Sequence, residues 1–470
     1  MLKNHLADTI RIKLAHTPTG CQLKLIEQLS EFVIAEDEKC IFLIKGYAGT
    51  GKTTVISALV KTLDEYGVKT VLLAPTGRAA KILGQYSGRP AYTIHKKIYR
   101  QLSSKDGFGK FMLEKNLHTN TLFIIDEASM IANQYGEQSI FGSGRLLDDL
   151  VEYVTQGRKC RIILIGDTAQ LPPVGLLISP ALDKNFLAAY FMDVNEVELN
   201  EVVRQEENSG ILINATNLWN SITSGNLKQP KLRLHGYHDI KRIGGAELID
   251  EMTSAYERYG INQTIVINRS NKRANSYNKG IRSQILGKEE EIVPGDLLMV
   301  VKNNYFWIKD KKTTEFIANG DIVEVEKIRK YYELYGFRFV DAKVNLADYD
   351  ISFETRLILN TLNVESAALT SEQNKNLFYS IYEDYADFKP KKRGYEMVRN
   401  NPFFNALQVK FAYAVTCHKS QGGQWKAVFL DQGFIADDKI DLEYLRWLYT
   451  AMTRSTDRLY LVNFPDKYFE

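Results

Sequence analysis

The sequence predicts an α/β protein of doubly wound parallel sheets interrupted by a small antiparallel β insertion, on three observations. The octet Gly46-Tyr47-Ala48-Gly49-Thr50-Gly51-Lys52-Thr53 matches the phosphate-loop pattern G-x-x-x-x-G-K-[ST] at every fixed position. It lies between an apolar run, Cys40 to Ile44, and a segment with Val55, Leu59 and Leu63 at helical spacing, so its context is strand, loop, helix. Further apolar runs at Lys69–Ala74, Thr121–Ile125 and Cys160–Ile165 alternate with helical stretches, as strands of a sheet covered on both faces do. From 287 to 400 the character changes: Val293-Pro294-Gly295-Asp296, and the alternating Asp321 to Glu326 after Asn319-Gly320, read as short antiparallel strands of a small barrel.

Composition bounds the rest. A chain of 470 residues exceeds one ordinary core and suggests about three domains, and 44% hydrophobic with 25% charged residues is the balance of a globular protein. The net charge of +3 does not announce a nucleic-acid partner, so any such partner must meet a local concentration of basic residues. Cysteines 21, 40, 160 and 417 form neither C-x-x-C pairs nor a disulfide framework. No apolar run approaches a membrane span and the start Met1-Leu2-Lys3-Asn4-His5 lacks a signal-peptide core, so the expectation is a cytoplasmic protein without a membrane partner.

Taken in order, residues 1 to 20 are weakly patterned up to the turn Pro18-Thr19-Gly20, and a helix with Leu23, Ile26 and Leu29 on one face follows. Gln22, just ahead of that face, carries an amide able to read an adenine edge by a paired donor and acceptor. In the phosphate loop, glycines 46, 49 and 51 free the backbone so that N–H groups, including those of Ala48, Thr50 and Thr54, point at phosphate oxygens. Lys52 reaches the β- and γ-phosphates, and the Thr53 hydroxyl completes a Mg²⁺ shell.

The strand Lys69–Ala74 ends in Pro75-Thr76-Gly77-Arg78, where loops of such sheets meet ligands. Thr93-Ile94-His95-Lys96 precedes a mixed-polarity stretch, Tyr99 to Asn120, with an Asp106-Gly107 turn signal, compatible with a small hairpin. Thr121–Ile125 delivers Asp126 and Glu127 to a strand end. Alone such a pair is an ordinary solvated loop; downstream of a phosphate loop it assigns Asp126 to Mg²⁺ and Glu127 to the attacking water. Gln170, in Gly166-Asp167-Thr168-Ala169-Gln170, is placed to touch a γ-phosphate.

A second αβ region starts near Glu198, with strands at 265–268, 426–431 and 458–462 and helices at 272–285 and 441–453. Within the inserted segment, Leu377, Ile381, Tyr385 and Phe388 form a packing stripe, and Lys389-Pro390-Lys391-Lys392-Arg393 is a solvated basic run.

The motifs fall in a recognisable order: Gly46 to Thr53, Ala-Pro-Thr-Gly-Arg-Ala-Ala-Lys at 74–81, Thr-Ile-His at 93–95, Asp-Glu-Ala-Ser-Met at 126–130, and Gly-Asp-x-x-Gln-Leu-Pro-Pro-Val at 166–174. Val-Thr-x-His-Lys-Ser-Gln-Gly at 415–422 and Leu-Tyr-Thr-Ala-Met-Thr-Arg at 448–454 follow. The set resembles the superfamily-one DNA helicases of the 5′-to-3′ branch, the RecD and phage Dda kind. The resemblance implies two RecA-like P-loop motor domains, the first at 1–200 with a hairpin pin at 96–120, the second at 201–286 and 401–470. An SH3-like β-barrel with a helical, basic tail, 287–400, is inserted in the second.

It further implies that Arg204 and Arg454 reach the γ-phosphate from the second domain, a task suited to planar guanidinium, and that Gln22 contacts adenine. Pro75, Thr76, Arg78, Thr93 and His95 match the single-strand contacts of the first domain, and Thr416, His418 and Lys419 those of the second. Phe108 or Phe111 would be the strand-separating wedge. The sequence departs from the pattern at Gln424, where the family has an acidic residue against the ribose.

The resulting expectation is an ATP- and Mg²⁺-dependent 5′-to-3′ helicase on single-stranded and forked duplex DNA. Single-strand-binding or repair proteins are expected as partners and the chain as a monomer. The alternatives are a DNA-stimulated translocase with little unwinding, and a nucleotide-gated DNA-binding subunit of a recombination or repair complex.

Overall fold

The computed structural model describes residues 2–14, 16–35, 40–101, 111–134, 141–203, 209–308, 316–347, 349, 351–436 and 439–470, without the side chains of Gln101 and Lys392. Its first sheet is wholly parallel, in the order β3-β2-β6-β7-β1-β8: β1 is Cys40–Gly46, β2 Lys69–Ala74, β3 Ala91–Thr93, β6 Thr121–Ile125, β7 Arg161–Gly166 and β8 Asp193–Leu199. Such a sheet needs cover on both faces, which is why its central strands are apolar throughout. Alternate residues of β1 feed opposite layers: Ile41 and Leu43 pack with the helix Leu146–Thr155, whereas Phe42 and Ile44 pack with the helices Gly20–Ile34 and Lys52–Glu65. The weakly patterned N-terminus is a helix too, Leu2–Ile12, burying Leu6, Ala7 and Ile10 in that second layer.

The 96–120 insertion contains an antiparallel pair, β4 (Tyr99–Gln101) and β5 (Phe111–Leu113). Phe108 lies outside the described residues. Phe111 does not suit a wedge: it is 4% exposed, its ring 4.8 Å from Phe141 and 4.6 Å from Tyr305 of the insertion between 287 and 400. A ring enclosed on these sides has no face left to stack on a base pair.

The second sheet, β16-β10-β17-β18-β9, is again wholly parallel, with β9 Ile240–Ile243, β10 Thr264–Asn268, β16 Ala414–Thr416, β17 Trp425–Asp431 and β18 Ser455–Val462. Between β10 and β16 the chain forms a closed barrel of β11 (Leu297–Val300), β12 (Ile322–Leu334), β13 (Phe337–Leu346), β14 (Ile351–Ile358) and β15 (Leu407–Phe411). The barrel therefore runs past the expected limit at 400, because β15 is a fully buried strand bonded to both β11 and β14. The helices Ser371–Glu383 and Lys391–Arg399 cover one end, with Leu377 and Ile381 buried against Phe337 and Phe339. The architecture is thus two RecA-like α/β domains with a barrel inserted in the second.

Candidate functional site

The loop after β1 wraps around its own lysine. Lys52 Nζ donates to the carbonyls of Gly46 at 2.6 Å and Tyr47 at 2.9 Å, and the Thr50 hydroxyl donates to Tyr47 at 2.8 Å. Gly49 and Gly51 hold φ of 80° and 76°, and a Cβ on Gly51 would collide with the Gln22 amide. Gln22 is fully buried: its Nε2 donates to Thr50 O at 2.9 Å, while its Oε1 accepts the Thr19 N–H at 3.1 Å and lies 3.1 Å from His16 Nε2. It therefore clamps the phosphate loop, and would offer an edge to adenine only by exchanging these bonds. Thr53 and Thr54 are half-buried in the first turn of the helix that begins at Lys52.

Asp126 and Glu127 leave β6 toward the same place. Asp126 Oδ1 accepts the Glu127 N–H at 2.8 Å; burial, and then the Glu127 charge, raise its pKa to about 6 against the opposing pull of that N–H and Lys52. Glu127 holds a left-handed φ of 53°, uncommon for a residue with a Cβ, and points at the second domain. There Arg454, only 3% exposed, places Nη1 3.7 Å from Glu127 Oε1. Its Nε donates to Thr450 O at 3.1 Å. Gln170 is 8% exposed, and its Oε1 has no hydrogen-bond partner among the described residues. Arg204 lies outside them.

A second locus forms where both motor domains meet the barrel. Thr76, Arg78, His418 and Lys419 line one cavity of about 180 Å³ together with Asn319 and Trp425. The Arg78 guanidinium stacks 3.9 Å from the Trp425 ring centroid and donates to Gln424 O at 2.9 Å. Lys419 Nζ donates to Asn319 Oδ1 at 2.6 Å, and burial holds its pKa below the usual lysine range. Gly422, with φ of 72°, approaches so closely that a Cβ would stand 2.9 Å from Thr76 Oγ1.

Pro75 and Thr416 are half-buried near this cavity in sequence but do not line it. Thr93 is buried, its hydroxyl accepting Lys96 N–H at 3.2 Å as a helix cap, and His95 packs 4.8 Å from Phe141 on the hairpin side. The exposed Gln424 side chain belongs to the segment that bonds Arg78.

Residues not singled out from the sequence also meet at the cleft: Tyr449, Thr450, Gln421 and Trp219. The last stacks on Tyr47 of the phosphate loop at 4.4 Å and 22°. Three of them lie in motifs whose order was legible, but nothing in a linear sequence pairs Tyr449 with a loop 401 positions away.

Comparisons with known proteins cover the same motifs. Residues 26–236 match a family described as an AAA domain, and residues 411–462 one described as a UvrD-like helicase C-terminal domain. The ATP-dependent DNA helicase dda of Enterobacteria phage T4 is 25% identical over 446 residues, covering 89% of this chain and 93% of that protein. The chain resembles the superfamily-one helicases of the RecD and Dda kind. The ATP-dependent RecD2 DNA helicase of Deinococcus radiodurans is 24% identical over 89% of this chain, which spans 46% of that longer protein. A solved Pif1 helicase from Bacteroides, in complex with ADP-AlF3 and ssDNA, aligns over 97% of this chain and 95% of its own at 16% identity, with a TM-score of 0.47.

Proposed function

We propose that this chain is an ATP-dependent 5′-to-3′ DNA helicase that moves on single-stranded DNA and opens duplexes as ATP is hydrolysed between its two motor domains. The observation that carries the reading is the approach of Arg454, from the second domain, to Glu127 of the first at 3.7 Å, above the loop that holds Lys52. Two half-sites on separate bodies make hydrolysis depend on how the bodies are set. The names of the RecD2 and Dda relatives support DNA as the substrate, and the direction follows from the resemblance alone.

The residues present fit a nucleotide and Mg²⁺. Among the described residues Lys52 bonds only backbone carbonyls, which phosphate oxygens would replace. Gln170 Oε1, buried without a donor among the described residues, suits the attacking water. Thr53 and Asp126 would hold the metal, which supplies charge neutralisation on the β- and γ-phosphates. Glu127 takes the proton of the water, and Arg454, with Arg204 by resemblance, stabilises charge on the transferring group. Closure of the cleft and its reopening shift the grips formed by Thr76 and Arg78 against those of His418 and Lys419, a cycle of differential affinity.

The test is unwinding of forked duplexes with a 5′ or a 3′ tail. Strand release requiring ATP and the 5′ tail is expected. The burial of Phe111 favours one second reading, a DNA-stimulated translocase with little unwinding; strong ATPase without strand release would establish it. Lys52→Ala should abolish turnover, whereas Arg454→Ala should leave nucleotide binding intact and cut turnover roughly a thousandfold or more, as loss of an arginine finger does. Sedimentation should find a monomer.

A further inference from the structure

The second motor domain touches the phosphate loop at a point that the motifs leave without a role. The Tyr449 hydroxyl, fully buried, accepts the Ala48 N–H at 2.8 Å, so that this N–H is turned to the second domain and not, as expected from the motif, to a phosphate oxygen; the same hydroxyl donates to Asp167 Oδ2 at 2.5 Å. Only a group that both accepts and donates satisfies these two partners at once. The neighbouring Thr450 hydroxyl accepts the Leu171 N–H at 2.8 Å, and Gln421 Nε2 donates to Leu171 O at 2.6 Å. Both backbone groups of the residue after Gln170 are therefore held by the second domain. Asp167 anchors the other end of that segment, its Oδ1 accepting the Ala169 N–H at 2.9 Å. Tyr449 and Thr450 lie in the helix Leu442–Met452, which leads directly into Arg454.

We propose that Tyr449 is a positioning residue for hydrolysis: its hydroxyl ties the phosphate loop at Ala48 to Asp167, and so sets Gln170 and Arg454 in register whenever the two domains meet. This rests on reading the cleft as an ATPase site. It adds a coupling group that touches neither nucleotide nor water. A phosphate-loop N–H, the strand end that carries Gln170 and the helix that carries Arg454 all converge on one hydroxyl, so loss of that oxygen loosens the reacting end and leaves the rest of the nucleotide site in place.

The variant Tyr449→Phe keeps the ring that packs the core and removes only the bridge. DNA-stimulated ATP turnover is expected to fall about tenfold or more, with KM for ATP within about twofold and an unchanged circular-dichroism spectrum. Asp167→Asn should fall similarly, and the double variant should be no worse than the weaker single one, because both break one bridge. Should Tyr449→Phe not fold, Asp167→Asn carries the same comparison of turnover with KM. Unchanged turnover, a rise in KM matching the loss, or additive effects in the double variant would each overturn the inference. A natural chain without ATP turnover would instead remove the ATPase reading itself, whereas full turnover in both natural chain and Tyr449→Phe removes only the bridge.

Discussion

Gln22 has two claims on it at once. The resemblance assigns its amide to adenine, yet the structure commits that amide to a capping box with Thr19 and to the Thr50 carbonyl. Both uses converge on one outcome: Gln22→Ala should lower stability by about 1 to 2 kcal/mol through the lost cap and buried bond, read by urea unfolding, and should weaken ATP binding because the phosphate loop loses its clamp. His95 shows a similar double claim. Burial lowers its pKa to about 4, with Asp149 pulling the other way, so at neutral pH it presents a neutral imidazole and no cation to DNA phosphate. The sign of the linkage follows: below pH 6.5 the unfolded chain takes up a proton that the folded one refuses until about pH 4, so stability falls as pH drops through that window. Thermal melting from pH 7 to 4.5 should show a contribution on the order of 2 kcal/mol that disappears in His95→Gln.

At the scale of elements, the barrel is joined to the second domain through a buried charge. Asp296, fully buried ahead of β11, accepts from Arg282 at 3.0 Å, Lys288 at 3.1 Å and Tyr413 at 2.8 Å. Arg282→Met would strand much of that charge in the interior and should cost about 3 to 5 kcal/mol in urea unfolding, with Lys288→Met costing less because its ammonium is one of several donors. The elements legible in the sequence were those whose burial is written in consecutive residues, such as β1, β6 and β7. The helix Leu2–Ile12 was not, because its buried face is only Leu6, Ala7 and Ile10 among polar residues. Edge strand β8, Asp-Val-Asn-Glu-Val-Glu-Leu, also hid, since its acidic residues resemble a surface segment. In the candidate site, Lys52, Asp126, Glu127 and Gln170 follow strand ends and were readable as local motifs. Tyr449 and Trp219 act only through partners brought near by tertiary packing, and the cage of aromatic rings around Phe111, a wedge candidate by resemblance, is likewise built by tertiary packing.

At the scale of the molecule, the proposed function needs a chain of net charge +3 to engage a polyanion, and the cavity shared by two motor domains and the barrel is the candidate place for it. Arg78 reaches it from the first motor domain and Lys419 from the second, beside His418, whose imidazole pKa burial lowers, so the two cations meet only because the motor domains are assembled. Each cation that contacts a phosphate releases condensed counterion, and for single strands the logarithm of the binding constant falls with the logarithm of salt by about 0.7 per contact. Lys419→Ala and Arg78→Ala should therefore each flatten that slope by about 0.7 and weaken oligonucleotides of different sequence alike, since phosphate contacts carry no base information. The two differ in a second readout. Arg78 lies against Trp425, so DNA that draws the guanidinium onto phosphate should change Trp425 fluorescence in the natural chain and in Lys419→Ala, but not in Arg78→Ala. An unaltered salt slope in both variants would place the strand elsewhere on the surface.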